Sequence, residues 1–190
     1  PSFFWNDERM ILARYPNEGY VYSIGKGDDC SEHTFINGKN GNTLGSGAPG
    51  GTVFYEPEVG EHMATWQDPT DAWVYGCFFF NWAEMTSPLT AVNAEDSSMT
   101  MRFNSGMGYR DEGSETYFYN IPEELDYPGE YYVDARERKL YLMPPKGFDR
   151  RTSSVAISVV EANGITVDGA HDIRFENIEF DGNWCCRDGE

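Results

Sequence analysis

Residues 117–145, YFYNIPEELDYPGEYYVDARERKLYLMPP, restrict the fold more than any other stretch, because they admit strands and turns but no long helix. Residues 117–121 are aromatic and β-prone, while 122–129 carry two prolines and a glycine that interrupt helical hydrogen bonding. Two short apolar runs, 131–133 and 140–143, flank the polar turn 134–139. Side chains alternate between the faces of a pleated ribbon. Tyr131 and Val133 therefore share one face, as do Leu140 and Leu142, and Tyr132 and Tyr141 stand on the other. The stretch predicts a strand, a proline-bounded turn and a hairpin with one buried side, stopped by Pro144 and Pro145.

The rest of the chain agrees with many short strands. Aromatic residues make up 15% of the 190 positions, and 20 Gly and 10 Pro favour turns over a helical bundle. The length suffices for one sizeable core. The expected class is all-β, an antiparallel β-sandwich or barrel. The 14 basic against 32 acidic residues give a formal charge of -18, which repels nucleic acid and anionic membrane surfaces. No apolar run reaches the roughly 20 residues of a membrane span.

Taken in order, residues 3–5 and 10–13 flank the polar tetrad 6–9 and read as a hairpin. Residues 14–19, RYPNEG, form a turn, since Pro fixes φ and Asn and Gly tolerate left-handed geometry. A strand follows at 20–24. Residues 25–51 are rich in Gly, Asn, Asp and Ser and read as one long surface loop, with Phe35 and Ile36 as an apolar island. Its GSGAPG run satisfies GxGxxG, but no buried strand precedes it and Pro49 followed by two glycines opens no helix, so a nucleotide fingerprint is rejected.

Residues 52–55 read as a short strand and 56–71 as a polar, proline-interrupted segment. Residues 72–83 are the most aromatic run. Trp73, Tyr75, Cys77, Phe79 and Asn81 fall on one face of a strand there, and Val74, Gly76, Phe78, Phe80 and Trp82 on the other. Both faces are apolar, which predicts a central strand. Residues 89–94 and 99–103 read as an antiparallel pair, and 106–115 as loop.

Three segments carry a resemblance. The run 123–145, together with LARYPNEGY at 12–20 and DAWVYGCFFFNWA at 71–83, resembles motifs of secreted right-handed parallel β-helix proteins from polysaccharide-degrading anaerobic bacteria. That resemblance implies a β-sandwich or barrel inserted near the start of the β-helix, in parents that include glycoside hydrolases of several families. Such parents run to several hundred residues, so this chain is expected to be a piece of one. The implied division is 1–145 for the inserted domain, 146–154 for a connector and 155–190 for the opening of the solenoid. ITVDG at 165–169 recurs as IEFDG at 178–182, the self-similarity of solenoid coils, although about three repeats are needed to bury a core. The implied location is secreted or cell-surface, and the implied partners are a polysaccharide or oligosaccharide and the remainder of the β-helix.

Chemical motifs are few. There is no GxSxG elbow, no phosphate loop and no HExxH or HxH spacing, and His33, His62 and His171 read as isolated structural or surface residues. Asp168, Asp181 and Asp188 would bind calcium only if their oxygens converged, and solvated turns are the expectation. Neither metal nor cofactor is expected. Cys30, Cys77, Cys185 and Cys186 lack a metal spacing and read as free thiols, with Cys30 to Cys77 the pair within the inserted domain if a bridge exists.

Glycoside hydrolysis requires two carboxylates, but 32 acidic residues always furnish a pair, so no catalytic residue is assigned. The aromatic surplus remains. A pyranose presents a C–H face that stacks on exposed aromatic rings, and the candidates are Trp66, Trp73, Tyr75, Trp82 and Trp184. Trp73 and Trp82 are expected mainly in the core, whereas Trp66, in a polar segment, is weighed evenly between core and surface and is the first choice for mutation. The leading expectation is a non-catalytic accessory domain that contributes to glycan binding or cleft shaping. The alternatives are a glycoside hydrolase or polysaccharide lyase acting through Asp and Glu, and a structural or adhesive surface module.

Overall fold

A computed structural model describes residues 2–45, 47–158 and 165–178. The opening hairpin is tighter than the sequence predicts. Strand β1 (Phe3–Trp5) turns through Asn6 and Asp7, at φ 47° and 65°, directly into β2 (Glu8–Arg9). Two consecutive left-handed residues make the mirror-image turn whose twist suits a hairpin. The expected second arm, 10–13, serves elsewhere: β3 (Ile11–Leu12) runs parallel to Glu130 and Tyr131.

Strand β4 (Arg14–Tyr15) enters the predicted Pro-Asn-Gly turn, where Arg14 bonds the carbonyls of Pro16 and Gly19 at 2.8 and 2.6 Å. Strand β5 (Val21–Lys26) follows. The single long loop expected over 25–51 is corrected by the hairpin β6 (His33–Ile36) and β7 (Lys39–Asn42), which turns at Asn37-Gly38 with φ 54° and 74°. Asn-Gly is a strong hairpin signal, overlooked because the flanking residues are mostly polar.

Strand β8 (Thr52–Tyr55) leads into helix α1 (Pro57–Met63) and a 3-10 turn at Pro69–Asp71, then into β9 (Trp73–Cys77), β10 (Glu84–Asn93), β11 (Ser98–Met101) and β12 (Glu115–Tyr119). The order β12-β5-β8-β11-β10-β9 closes on itself through β9 and β12, so six antiparallel strands form a barrel. Closure leaves no barrel strand with an unpaired edge. Strand β9 is central, as predicted, but it ends at Cys77, and residues 78–83 form bends and turns instead of continuing it.

The barrel is filled by Val53, Tyr55, Val74, Leu89, Met99, Met101 and Phe118, with Val59 and Met63 added from α1. Full burial of each such side chain contributes about 1.5–3 kcal/mol before conformational entropy is subtracted. Polar interior atoms find partners: Thr116 Oγ1 lies 3.0 Å from the Tyr55 hydroxyl.

The predicted hairpin is present as β13 (Glu130–Asp134) and β14 (Lys139–Leu142), with Tyr131 opposite Leu142 and Val133 opposite Leu140. Tyr131 joins Phe3 and Met10 in a second core, against which Trp5, Leu12, Val133, Leu140 and Leu142 pack. Tyr132 and Tyr141 stack on the other face at 6.0 Å. Strand β15 (Val155–Ile157) pairs antiparallel with β1. The runs expected as solenoid strands within 165–178 form no strand and are exposed, because an isolated coil has no neighbour against which to bury a face.

Candidate functional site

The site is a sheet face on the outside of the barrel, built by three neighbouring strands. On β9, Val74 points inward, so Trp73, Tyr75 and Cys77 point outward. On β12, Thr116 and Phe118 are buried inside, so Glu115, Tyr117 and Tyr119 point outward. On β10, Ser87 and Leu89 are buried, and Glu84, Thr86 and Pro88 take the outer face. The register places Glu84, Cys77 and Glu115 side by side, then Thr86, Tyr75 and Tyr117, then Pro88, Trp73 and Tyr119. Tyr22 continues the first row beside Glu115, and Arg14 continues the third beside Tyr119.

The rings make one connected ladder. Trp73 stacks on Tyr119 at 6.2 Å, Tyr117 lies 5.8 Å from Tyr119, and Tyr75 stacks on Tyr117 at 4.8 Å. Tyr20 lies over both Tyr75 and Tyr117, at 6.4 and 6.1 Å. Tyr75 is therefore only 7% exposed, while Trp73, at 36%, and Tyr20 present accessible rings at the two ends of the ladder. The Arg14 guanidinium sits 3.7 Å from the Tyr117 ring centroid, clamped by its carbonyl bonds. Such a cation over an aromatic face stabilises by about 0.5–2 kcal/mol and fixes the ring.

The ladder is polarised. Burial and then a hydrogen bond to Glu84 push the Tyr75 hydroxyl upward, so it stays a neutral donor. Burial also raises the Cys77 thiol, and Glu84 and Glu115 raise it further against the smaller, opposing effect of Arg110. Glu84 and Glu115 thus gather at one end, where Arg110 bonds the Cys77 carbonyl and the Asn81 side chain, and Arg14 stands toward the other. At the Arg14 end a cavity of about 200 Å³ opens between the ladder and the second core, lined by Arg9, Arg14, Tyr117, Tyr119 and Tyr131 among others.

The other aromatic candidates lie apart. Trp66 is only 6% exposed, its indole N–H bonds the buried Glu124 carboxylate, and its ring meets Phe118 edge-on at 5.4 Å. It is a core residue, which corrects its place as first choice for sugar contact. Polarity of the flanking sequence misleads there because α1 folds back over the barrel core. Trp82, expected mainly in the core, is 65% exposed and stacks on Phe80 at 4.9 Å, beside Phe79 and His33. The strand ends before it, so it never reaches the interior. Trp184, Asp181, Asp188, Cys185 and Cys186 lie outside the described residues. Cys30 and Cys77 are free, and no metal-binding group of His, Cys, Asp and Glu occurs among the described residues. Among those residues no helix is long and apolar enough to cross a membrane.

The ladder brings together two predicted candidates, Trp73 and Tyr75. Sequence reading missed Tyr20, Tyr117, Tyr119, Glu84, Glu115 and Arg14. The alternation in ETYFY at 115–119 is a period-two signal for Glu115, Tyr117 and Tyr119 sharing a face. Nothing local tells that this face is the outer one.

No protein-family profile matches the chain, and no curated protein matches it in sequence. A solved structure named as a glycoside hydrolase is similar to it with a TM-score of 0.50 and 16% sequence identity, over 85% of this chain. The chain spans 27% of that protein's length. At that identity the likeness shows the fold alone.

Proposed function

We propose that the chain is a non-catalytic, carbohydrate-binding accessory domain of a larger, secreted, polysaccharide-active β-helix protein, and that it binds glycan along the outer aromatic ladder. One observation carries this reading. The outside of an antiparallel barrel is ordinarily polar, yet here Trp73, Tyr119, Tyr117, Tyr75 and Tyr20 form continuous ring contacts on it. A pyranose suits this face, since its C–H groups meet the negative ring faces and its hydroxyls can bond the carboxylates and the guanidinium alongside. The resemblance of the sequence motifs and the fold likeness support the same reading. The segment 155–190 would then enter the parent's solenoid, and 1–145 would form the accessory domain.

A second reading follows from the share of the solved structure that the chain spans: the parent's own solenoid would cover the ladder, and the domain would shape a cleft without touching sugar. Affinity electrophoresis of the isolated chain through gels containing plant and host polysaccharides separates the two. Retardation by at least one polymer, with Trp73→Ala weakening it about tenfold, is the expected result, tenfold being about 1.4 kcal/mol. Free migration in every gel would establish the covered-ladder reading instead.

A further inference from the structure

We infer that the Arg14 end of the ladder is a subsite for an acidic sugar, a hexuronate unit whose carboxylate meets Arg9 and Arg14; this rests on the glycan-binding reading above. The chain has only 14 basic residues against 32 acidic ones, yet two arginines line a cavity that adjoins the ladder. No acidic side chain lines it. Its volume of about 200 Å³ lies below the range typical of drug-sized ligands, which fits a single sugar ring.

Arg14 is preorganised for the task. Its Nε and Nη2 donate to Pro16 and Gly19, and its plane rests on Tyr117, so the fork is held rigid before any ligand arrives. Glu130, a buried carboxylate that interacts electrostatically with Arg14, is not among the lining residues, and its oxygens are taken up by the backbone amides of Arg14, Asp126 and Tyr127. Tyr117 and Tyr119 belong to both ladder and cavity, so a sugar stacked on the ladder brings its neighbour to the arginines. The acidic remainder of the protein repels an anionic polymer at long range. At physiological salt that repulsion fades beyond about 8 Å, whereas a carboxylate within hydrogen-bonding reach of a guanidinium is screened far less.

The test is calorimetric titration at physiological salt with an oligogalacturonate and with the same oligomer after its carboxyl groups are reduced to alcohols. The wild-type chain should bind the acidic oligomer about tenfold more tightly, the gain of one charge-assisted contact. Arg9→Gln should bring that ratio to about one, with the near-ultraviolet dichroism of the aromatic core unchanged. Equal affinities in the wild type, or a ratio that survives Arg9→Gln, would overturn the acidic subsite while leaving the ladder as a neutral-glycan platform. Binding of neither oligomer, combined with free migration in every polysaccharide gel, would overturn both readings.

Discussion

Nε2 of His62 lies 2.7 Å from Oε1 of Glu124, joining the last turn of α1 to the 3-10 turn that follows β12. The same oxygen accepts the indole N–H of Trp66, and Tyr15 stacks on the imidazole at 3.7 Å. Glu124 is buried, so removing its carboxylate leaves the buried Trp66 indole N–H without its acceptor, while the part-exposed His62 ring can turn to water. Leaving such a buried donor unsatisfied costs about 1–3 kcal/mol. Glu124→Ala should lower the melting temperature by roughly 5 °C, given about 2–4 °C per kcal/mol for a chain of this size. Differential scanning calorimetry checks it.

Trp66 provides a contrast with Trp73. Trp66→Ala removes a ring that packs on Phe118 inside the core and should cost about 3–5 kcal/mol of stability. Trp73→Ala, at the accessible end of the ladder, should leave stability within about 1 kcal/mol and show its effect in glycan affinity. Chemical denaturation and affinity electrophoresis on both variants separate the roles.

The barrel seam between β9 and β12 leaves no room at Gly76. A Cβ there would lie 2.7 Å from Cγ2 of Thr116 and 3.0 Å from the Glu115 carbonyl oxygen. Gly76→Ala should therefore destabilise by about 1–3 kcal/mol or more through overpacking. A lower denaturation midpoint with an unchanged slope is the expected signature.

Asp29 ties the loop before β6 to β8. Burial alone would raise its carboxyl, but hydrogen bonds from the Thr52 and Gly51 amides and the Thr52 hydroxyl outweigh burial and hold it below its ordinary 3.8. A depressed acid favours the folded state above its unfolded value, and that benefit is lost as pH falls through the folded value. Stability should thus decline below about pH 4. Asp29→Asn should flatten that part of the profile in melts taken between pH 2 and 5.

Burial, reinforced by Asp29, pushes the Cys30 thiol up to about 12. Only about one Cys30 in ten thousand is then a thiolate at pH 8, and the thiolate is the reactive form. In a chain carrying Cys185→Ser and Cys186→Ser, Cys30 and Cys77 should resist an aromatic disulfide reagent until denaturant is added. Rapid labelling of the folded chain would contradict their buried placement.

The hairpin at 130–142 was legible because its pattern is local: Tyr131 and Val133 alternate with Tyr132, and Leu140 and Leu142 answer them across a short turn. The central place of β9 was legible for a similar reason, since both of its faces are apolar. The hairpin at Asn37-Gly38 was also written in the chain, as two residues able to hold positive φ. What tertiary structure alone decided is which aromatic residues are inside. Trp66 lies among polar neighbours and is buried, because α1 carries it over the barrel and Glu124 satisfies its N–H. Trp82 lies in an apolar run and is exposed, because the strand stops at Cys77. The ladder itself needed β9 and β12 to pair across some forty residues of intervening chain, which closes the barrel and sets Tyr75 beside Tyr117. Period-two alternation shows that residues share a face; only closure of the sheet determines whether that face meets the core or the solvent.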